Sequence, residues 1–156
     1  MEAAWRWGLT WKTAAPRVAA PPAADEGRRN AILPPVAVSV LLVEDETALA
    51  TAIGEALMDA GMDVDHAGDG QEALARVRRK TYDVVVCDLK MPRVDGMMLY
   101  RAMAAATPAL ARRVIFVTGD AAGADAGRFL EDSGCRWLAK PFRLGDLLLA
   151  IRDTLG

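Results

Sequence analysis

The sequence is poor in cysteine, lacks any apolar run long enough to cross a bilayer, and carries no excess of positive charge. Its two cysteines, Cys87 and Cys135, have no C-x-x-C spacing and read as buried, reduced thiols rather than a disulfide framework. No stretch approaches the roughly 20 apolar residues of a membrane span. Glu2, Arg6, Lys12 and Arg17 interrupt the N-terminal region. It therefore lacks the unbroken core of about 7–15 apolar residues that a secretory signal needs. A formal net charge of −2 offers no basic field for nucleic acid. The expectation is a cytoplasmic protein with neither membrane nor direct nucleic-acid contacts.

What the sequence does have is 53% hydrophobic residues in 156, enough for one packed domain with some chain to spare. The spare part is residues 1–36. Pro16, Pro21, Pro22, Pro34 and Pro35 among many alanines favour an extended, flexible tether. Trp5, Trp7 and Trp11 are out of place in such a segment. Docking on the domain, docking on a partner, and a remnant of a longer upstream region all stay open for them. This extension holds five Lys/Arg against three Asp/Glu, and residues 37–156 hold 14 against 18. The acidic balance therefore sits in the main body.

From Val38 the pattern turns to alternating strands and helices. Residues 38–43 read as a strand. Leu49, Ile53, Ala56, Leu57 and Ala60 then recur at helical spacing up to Gly61, a helix-ending glycine. Residues 62–67 alternate as in a shorter, edge-like strand. Asp69 is placed to cap a helix over 70–79, with Ala73, Leu74 and Val77 inward. Val84, Val85 and Val86 mark a strand over 83–88 that is covered on both faces. A third helix is predicted over 97–106 and a fourth strand over 114–118. A fourth helix over 121–133 is weakened by Gly123 and Gly127 in its interior, at about 1 kcal/mol each. Residues 135–139 form the fifth strand. A fifth helix covers 144–155, with Leu144, Leu147, Leu148, Ile151 and Leu155 as its buried stripe. Five strand–helix units in about 120 residues imply an α/β architecture, an open parallel sheet with helices on both faces. Ligands of such sheets bind beyond the carboxyl ends of the strands.

The chemistry-bearing residues fall at that edge. Glu44 and Asp45 follow the first strand, Asp88 ends the third, Thr118 ends the fourth and Lys140 follows the fifth. Three carboxylates drawn into one cleft repel one another unless a divalent cation neutralises them. A hard cation beside a central carboxylate, with a lysine and a threonine opposite, suits phosphoryl transfer. His66 falls in the second strand, away from this cleft, and is not read as a phosphodonor. Met91, Met97, Met98 and Met103 read as core and loop filler.

Five motifs tie these positions together: Leu-Leu-Val-Glu-Asp-Glu at 41–46, Val-Val-Val-Cys-Asp-Leu-Lys-Met-Pro at 84–92, Asp95-Gly96, Val-Thr-Gly at 117–119 and Lys-Pro-Phe at 140–142. In order and spacing the chain resembles the receiver domain of two-component response regulators over about residues 39–155. The resemblance implies a flavodoxin-like (βα)5 doubly wound sheet with strand order 2-1-3-4-5. It implies that Asp88 is the phosphoacceptor, forming an aspartyl phosphate. Glu44, Asp45, Asp88 and the backbone carbonyl of Lys90 would hold Mg²⁺. Lys140 would pair with the phosphoryl group, ahead of a cis Lys140–Pro141 peptide. Thr118 matches the hydroxyl that moves toward the phosphate. Trp137 stands at the rotating switch position, where the family usually has Tyr, Phe or His.

The function so implied is that of a phosphoacceptor, not an enzyme with turnover beyond self-phosphorylation and slow autodephosphorylation. A histidine kinase or histidine phosphotransfer protein would donate to Asp88. A downstream protein would read the face formed by the fourth helix, fifth strand and fifth helix, which also offers a route to a homodimer. Because the sequence ends at Gly156, just after the fifth helix, a single-domain regulator acting through protein contacts is expected. Alternatives are a terminal receiver derived from a hybrid sensor kinase, a phosphorylation-independent pseudo-receiver, and an aspartyl-phosphate phosphatase. The last would need Asp-x-Asp at the acceptor, where position 90 is Lys. Lys90 and Asp120 are expected to pair across the site and slow hydrolysis of the phosphate.

Overall fold

A computed structural model describes residues 36–91 and 93–156. The tryptophan-bearing extension and Pro92 lie outside the described residues. The strands are β1 (Ser39–Val43), β2 (Asp63–Ala67), β3 (Val84–Asp88), β4 (Val114–Thr118) and β5 (Arg136–Ala139). The helices are α1 (Thr47–Asp59), α2 (Gly70–Arg79), α3 (Gly96–Ala106), α4 (Ala124–Ser133) and α5 (Leu144–Leu155). A four-residue helical turn, Pro108–Ala111, precedes β4. All strand pairs are parallel and the order is β2-β1-β3-β4-β5. This is the flavodoxin-like order that the resemblance implied.

Alternating side chains of the central strands split the core in two. Leu41, Val43, Val85, Cys87 and Phe116 pack with Ala73, Leu99, Met103, Phe129 and Leu130 under α2, α3 and α4. Val40, Leu42, Val84, Val86, Ile115 and Val117 pack with Ile53, Leu57, Leu147 and Ile151 under α1 and α5. The rings of Tyr100, Phe116 and Phe129 meet edge to face, with centroids 5.3 to 5.9 Å apart, and seat α3 and α4 on β4. Cys87 and Cys135 are free thiols, Cys87 fully buried.

Local signals explain several element ends. Asp69 caps α2, its Oδ1 accepting from Glu72 N–H at 2.8 Å. Gly61, at φ 93°, turns the chain out of α1 in a conformation that favours glycine. Two expectations are corrected. The fourth helix starts at Ala124, so Gly123 is its N-cap and carries no interior penalty; only Gly127 lies within the helix. In α5, Leu147 and Ile151 are buried and Leu148 is partly buried, but Leu144 and Leu155 are exposed. That helix packs at one end of the sheet, where the neighbouring β5 is itself a mostly exposed edge strand, and a full stripe has too little core to cover it.

Candidate functional site

Parallel strands deliver their last residues to one edge, and here the backbone ladder runs a little past the strand ends. Glu44 N–H donates to Ala67 O at 3.1 Å, Leu89 N–H to Val117 O at 3.0 Å, and Lys140 N–H to Thr118 O at 2.8 Å. The first bond pins the residue after β1 beside the end of β2, and the other two pin the residues after β3 and β5 beside the end of β4. Glu44, Asp88 and Thr118 are buried despite their polarity, at 1%, 6% and 0% exposure. The Lys140 ammonium stands between the two carboxylates, 3.0 Å from Glu44 Oε2 and 3.1 Å from Asp88 Oδ2. The Lys140–Pro141 peptide is cis.

The remaining lone pairs are partly satisfied by nearby backbone. Glu44 Oε1 accepts from Glu46 N–H at 3.1 Å, and Asp88 Oδ1 from Lys90 N–H at 3.2 Å. Thr118 Oγ1 accepts from Asp120 N–H at 3.1 Å. Burial raises the Glu44 carboxyl from 4.5 to about 7, with the neighbouring Asp88 charge adding to it and Glu46 N–H and Lys140 opposing. Burial pulls Lys140 down, but its bonds to Glu44 and Asp88 outweigh that, and the net shift is upward. The lysine thus stays an ammonium.

One carboxylate oxygen from each of Glu44, Asp45 and Asp88 lies within 4.8 Å of the others. One ammonium faces three carboxylates, so the donor set is hard, oxygen-only and short of positive charge. These residues fit a divalent cation such as Mg²⁺. Lys90 joins the site through its backbone N–H, and its side-chain Nζ pairs with Asp120 Oδ2 at 3.2 Å on the exposed rim. The expected pair is therefore formed. Trp137 is not part of the cluster. It lies on β5, opposite Phe116 in the β4 register, with 44% of its surface exposed.

Glycine permits two close approaches around the acceptor loop. A Cβ on Gly96 would lie 2.7 Å from the carbonyl oxygen of Asp88 and 2.9 Å from Leu89 Cα, so α3 begins directly against the end of β3. A Cβ on Gly70 would overlap the Val94 carbonyl oxygen, which seats the same loop on α2. Arg93, at φ 62°, completes that contact with a bond from its guanidinium to Asp69 Oδ2 at 3.2 Å. His66 lies on β2 as expected and outside the carboxylate cluster, but its Nε2 stands 2.8 Å from the backbone carbonyl oxygen of Glu44, a contact the sequence did not reveal. The imidazole is long enough to reach past its own strand end, which periodicity along one strand does not reveal.

A family model, described as the response regulator receiver domain, matches residues 40–152. The chain belongs to the response regulator receiver family. The probable transcriptional regulatory protein TcrX of Mycobacterium tuberculosis is 34% identical over 118 residues, covering 76% of this chain and 50% of TcrX. The sensor kinase CckA of Brucella abortus is 36% identical over 119 residues, 75% of this chain and 12% of the kinase. This receiver chain thus spans half or less of the length of these two relatives. Among solved structures, a CheY-like receiver domain protein from Methanospirillum hungatei superposes with a TM-score of 0.71 at 26% identity, covering 77% of this chain and 94% of that one. The receiver domain of sensor histidine kinase PA1611 from Pseudomonas aeruginosa gives a TM-score of 0.69 at 30% identity, covering 78% and 99%. That structure has a magnesium ion coordinated in its active-site cleft.

Proposed function

We propose that this receiver accepts a phosphoryl group from a histidine kinase or histidine phosphotransfer protein onto Asp88. The observation that carries the reading is the single ammonium of Lys140 held between Glu44 and Asp88, within a carboxylate cluster apt for a cation. An oxygen of the Asp88 carboxylate attacks phosphorus, the phosphorus–nitrogen bond of phosphohistidine breaks, and the imidazole leaves. Lys140 is in reach of an oxygen of the incoming group, and its charge opposes the charge that accumulates there. Glu44, Asp45, Asp88 and the Lys90 carbonyl would hold Mg²⁺. When bound, the ion neutralises the acidic cluster and the phosphoryl oxygens.

Phosphorylation adds nearly two negative charges. The Thr118 hydroxyl turns to the phosphate, the loop before α4 follows, and a downstream protein reads the α4–β5–α5 face, with Trp137 as the switch aromatic. The same face offers a homodimer contact. Exposure of β5 and Trp137 supports this part of the reading. The protein acts in the cytoplasm as a phosphoacceptor without turnover chemistry of its own. Among the described residues no helix is long and apolar enough to cross a membrane.

Incubation with Mg²⁺ and phosphoramidate or acetyl phosphate, read by intact mass, is the test. The parent should gain about 80 Da and Asp88→Asn should not. No adduct from any small donor or kinase, or an equal adduct on Asp88→Asn, overturns the assignment. A second reading, a receiver module of a hybrid sensor kinase, draws on the similarity to CckA. An in-frame kinase domain encoded immediately upstream would establish it.

A further inference from the structure

We infer that His66 is a positioning residue that sets the geometry of the Glu44–Asp45 acidic pair by holding the peptide between them. The inference rests on the reading of that pair as magnesium ligands. His66 lies on β2 in register with Leu42, two residues before Glu44 on β1. The next residue of β2, Ala67, takes the Glu44 N–H on its carbonyl at 3.1 Å. His66 Nε2 stands 2.8 Å from the carbonyl oxygen of the same Glu44. A carbonyl can only accept, so Nε2 carries the proton in this bond. Both polar groups of the Glu44 backbone are therefore tied to β2, one through the main chain and one through an imidazole.

Position along the chain gives this second tie its importance. The β1–α1 connection is three residues long, Glu44, Asp45 and Glu46, before α1 begins at Thr47. The buried Glu44 side chain is already fixed by Lys140 and by Glu46 N–H. Asp45 is exposed. Its Cα follows directly from the peptide whose oxygen His66 holds, so rotation of that peptide swings the Asp45 carboxylate relative to Glu44 and Asp88. Pinning the carbonyl keeps the three ligand oxygens within 4.8 Å before any ion arrives. Outer partners that orient ligands in this way commonly change metal affinity by about 10-fold or more when removed.

The test compares the parent chain, His66→Leu and His66→Gln. Leucine removes the donor at similar volume, while the glutamine amide can place an N–H where Nε2 lies. Mg²⁺ affinity is measured by calorimetry. Amide hydrogen exchange at Asp45 and Glu46 is measured in metal-free protein, and thermal unfolding in chelator reports general stability. The leucine variant should bind Mg²⁺ roughly tenfold more weakly and exchange faster at Asp45 and Glu46, and glutamine should restore most of both. A folded leucine variant with parental affinity and exchange overturns the inference. So does a glutamine variant as impaired as leucine. If the parent itself binds no Mg²⁺, the function proposed for the site falls, whereas the metal-free exchange comparison still decides whether His66 pins the loop.

Discussion

Glu44 should lower the stability of the metal-free receiver as pH rises, and Glu44→Gln tests this directly. The carboxyl titrates at 4.5 in ordinary surroundings and at about 7 in the fold, chiefly because burial disfavours its charge. Below pH 4.5 it is protonated whether the chain is folded or not, and no cost arises. Between 4.5 and 7 the folded state holds a proton that the unfolded state has released, so unfolding becomes easier as pH rises. Above 7 the full difference applies, about 3 kcal/mol at 1.36 kcal/mol per pH unit. Glutamine keeps the shape and cannot ionise. It gives up the charged bond to Lys140, but that ammonium still has Asp88 at 3.1 Å. In chelator, the stability of Glu44→Gln relative to the parent should therefore rise by about 1–3 kcal/mol between pH 5 and pH 8. Added Mg²⁺ should reverse the ranking at pH 8, because only the parent keeps all three acidic ligands. Urea unfolding at four or five pH values measures this. A difference that stays flat from pH 5 to pH 8 refutes the reasoning.

Two further outcomes follow from the site's rim and its packing. Lys90→Asn breaks the exposed pair with Asp120, 3.2 Å across the mouth of the site. It should shorten the lifetime of the aspartyl phosphate with little effect on folding stability, since exposed pairs contribute little; an unchanged lifetime by intact mass removes the pair from hydrolysis control. Gly96→Ala drives a methyl to 2.7 Å from the Asp88 carbonyl oxygen, and should cost about 1–3 kcal/mol in thermal unfolding while also slowing phosphorylation. Parental stability would mean that α3 can back away from β3.

Strand ends were the most legible part of this chain. Val84 to Cys87 and Val114 to Val117 are unbroken apolar runs buried on both faces, so the polar residue closing each run, Asp88 or Thr118, marks the sheet edge without ambiguity. The strand order itself came through resemblance, because nothing in a run of valines says which neighbour it pairs with. Ala121 and Ala122 are good helix formers, yet the chain turns there and uses Gly123 as a cap. Cap geometry overrode propensity. Leu144 and Leu155 repeat at helical spacing but lie beyond the breadth of sheet available to α5. His66 falls on the second strand as read, but its bond to the Glu44 carbonyl was not foreseen, because a reading that follows one strand at a time carries no information on reach between neighbours.

The edge-to-face rings of Tyr100, Phe116 and Phe129 bear on how far a local event at the sheet edge is felt. Phe116 and Thr118 are two apart on β4, so both project to the same side of the sheet, about 7 Å from each other along the strand. The hydroxyl and the aromatic joint therefore ride on one short, stiff rod. Displacement of that rod would reach α3 and α4 together, because both helices seat an aromatic ring on the same residue of it.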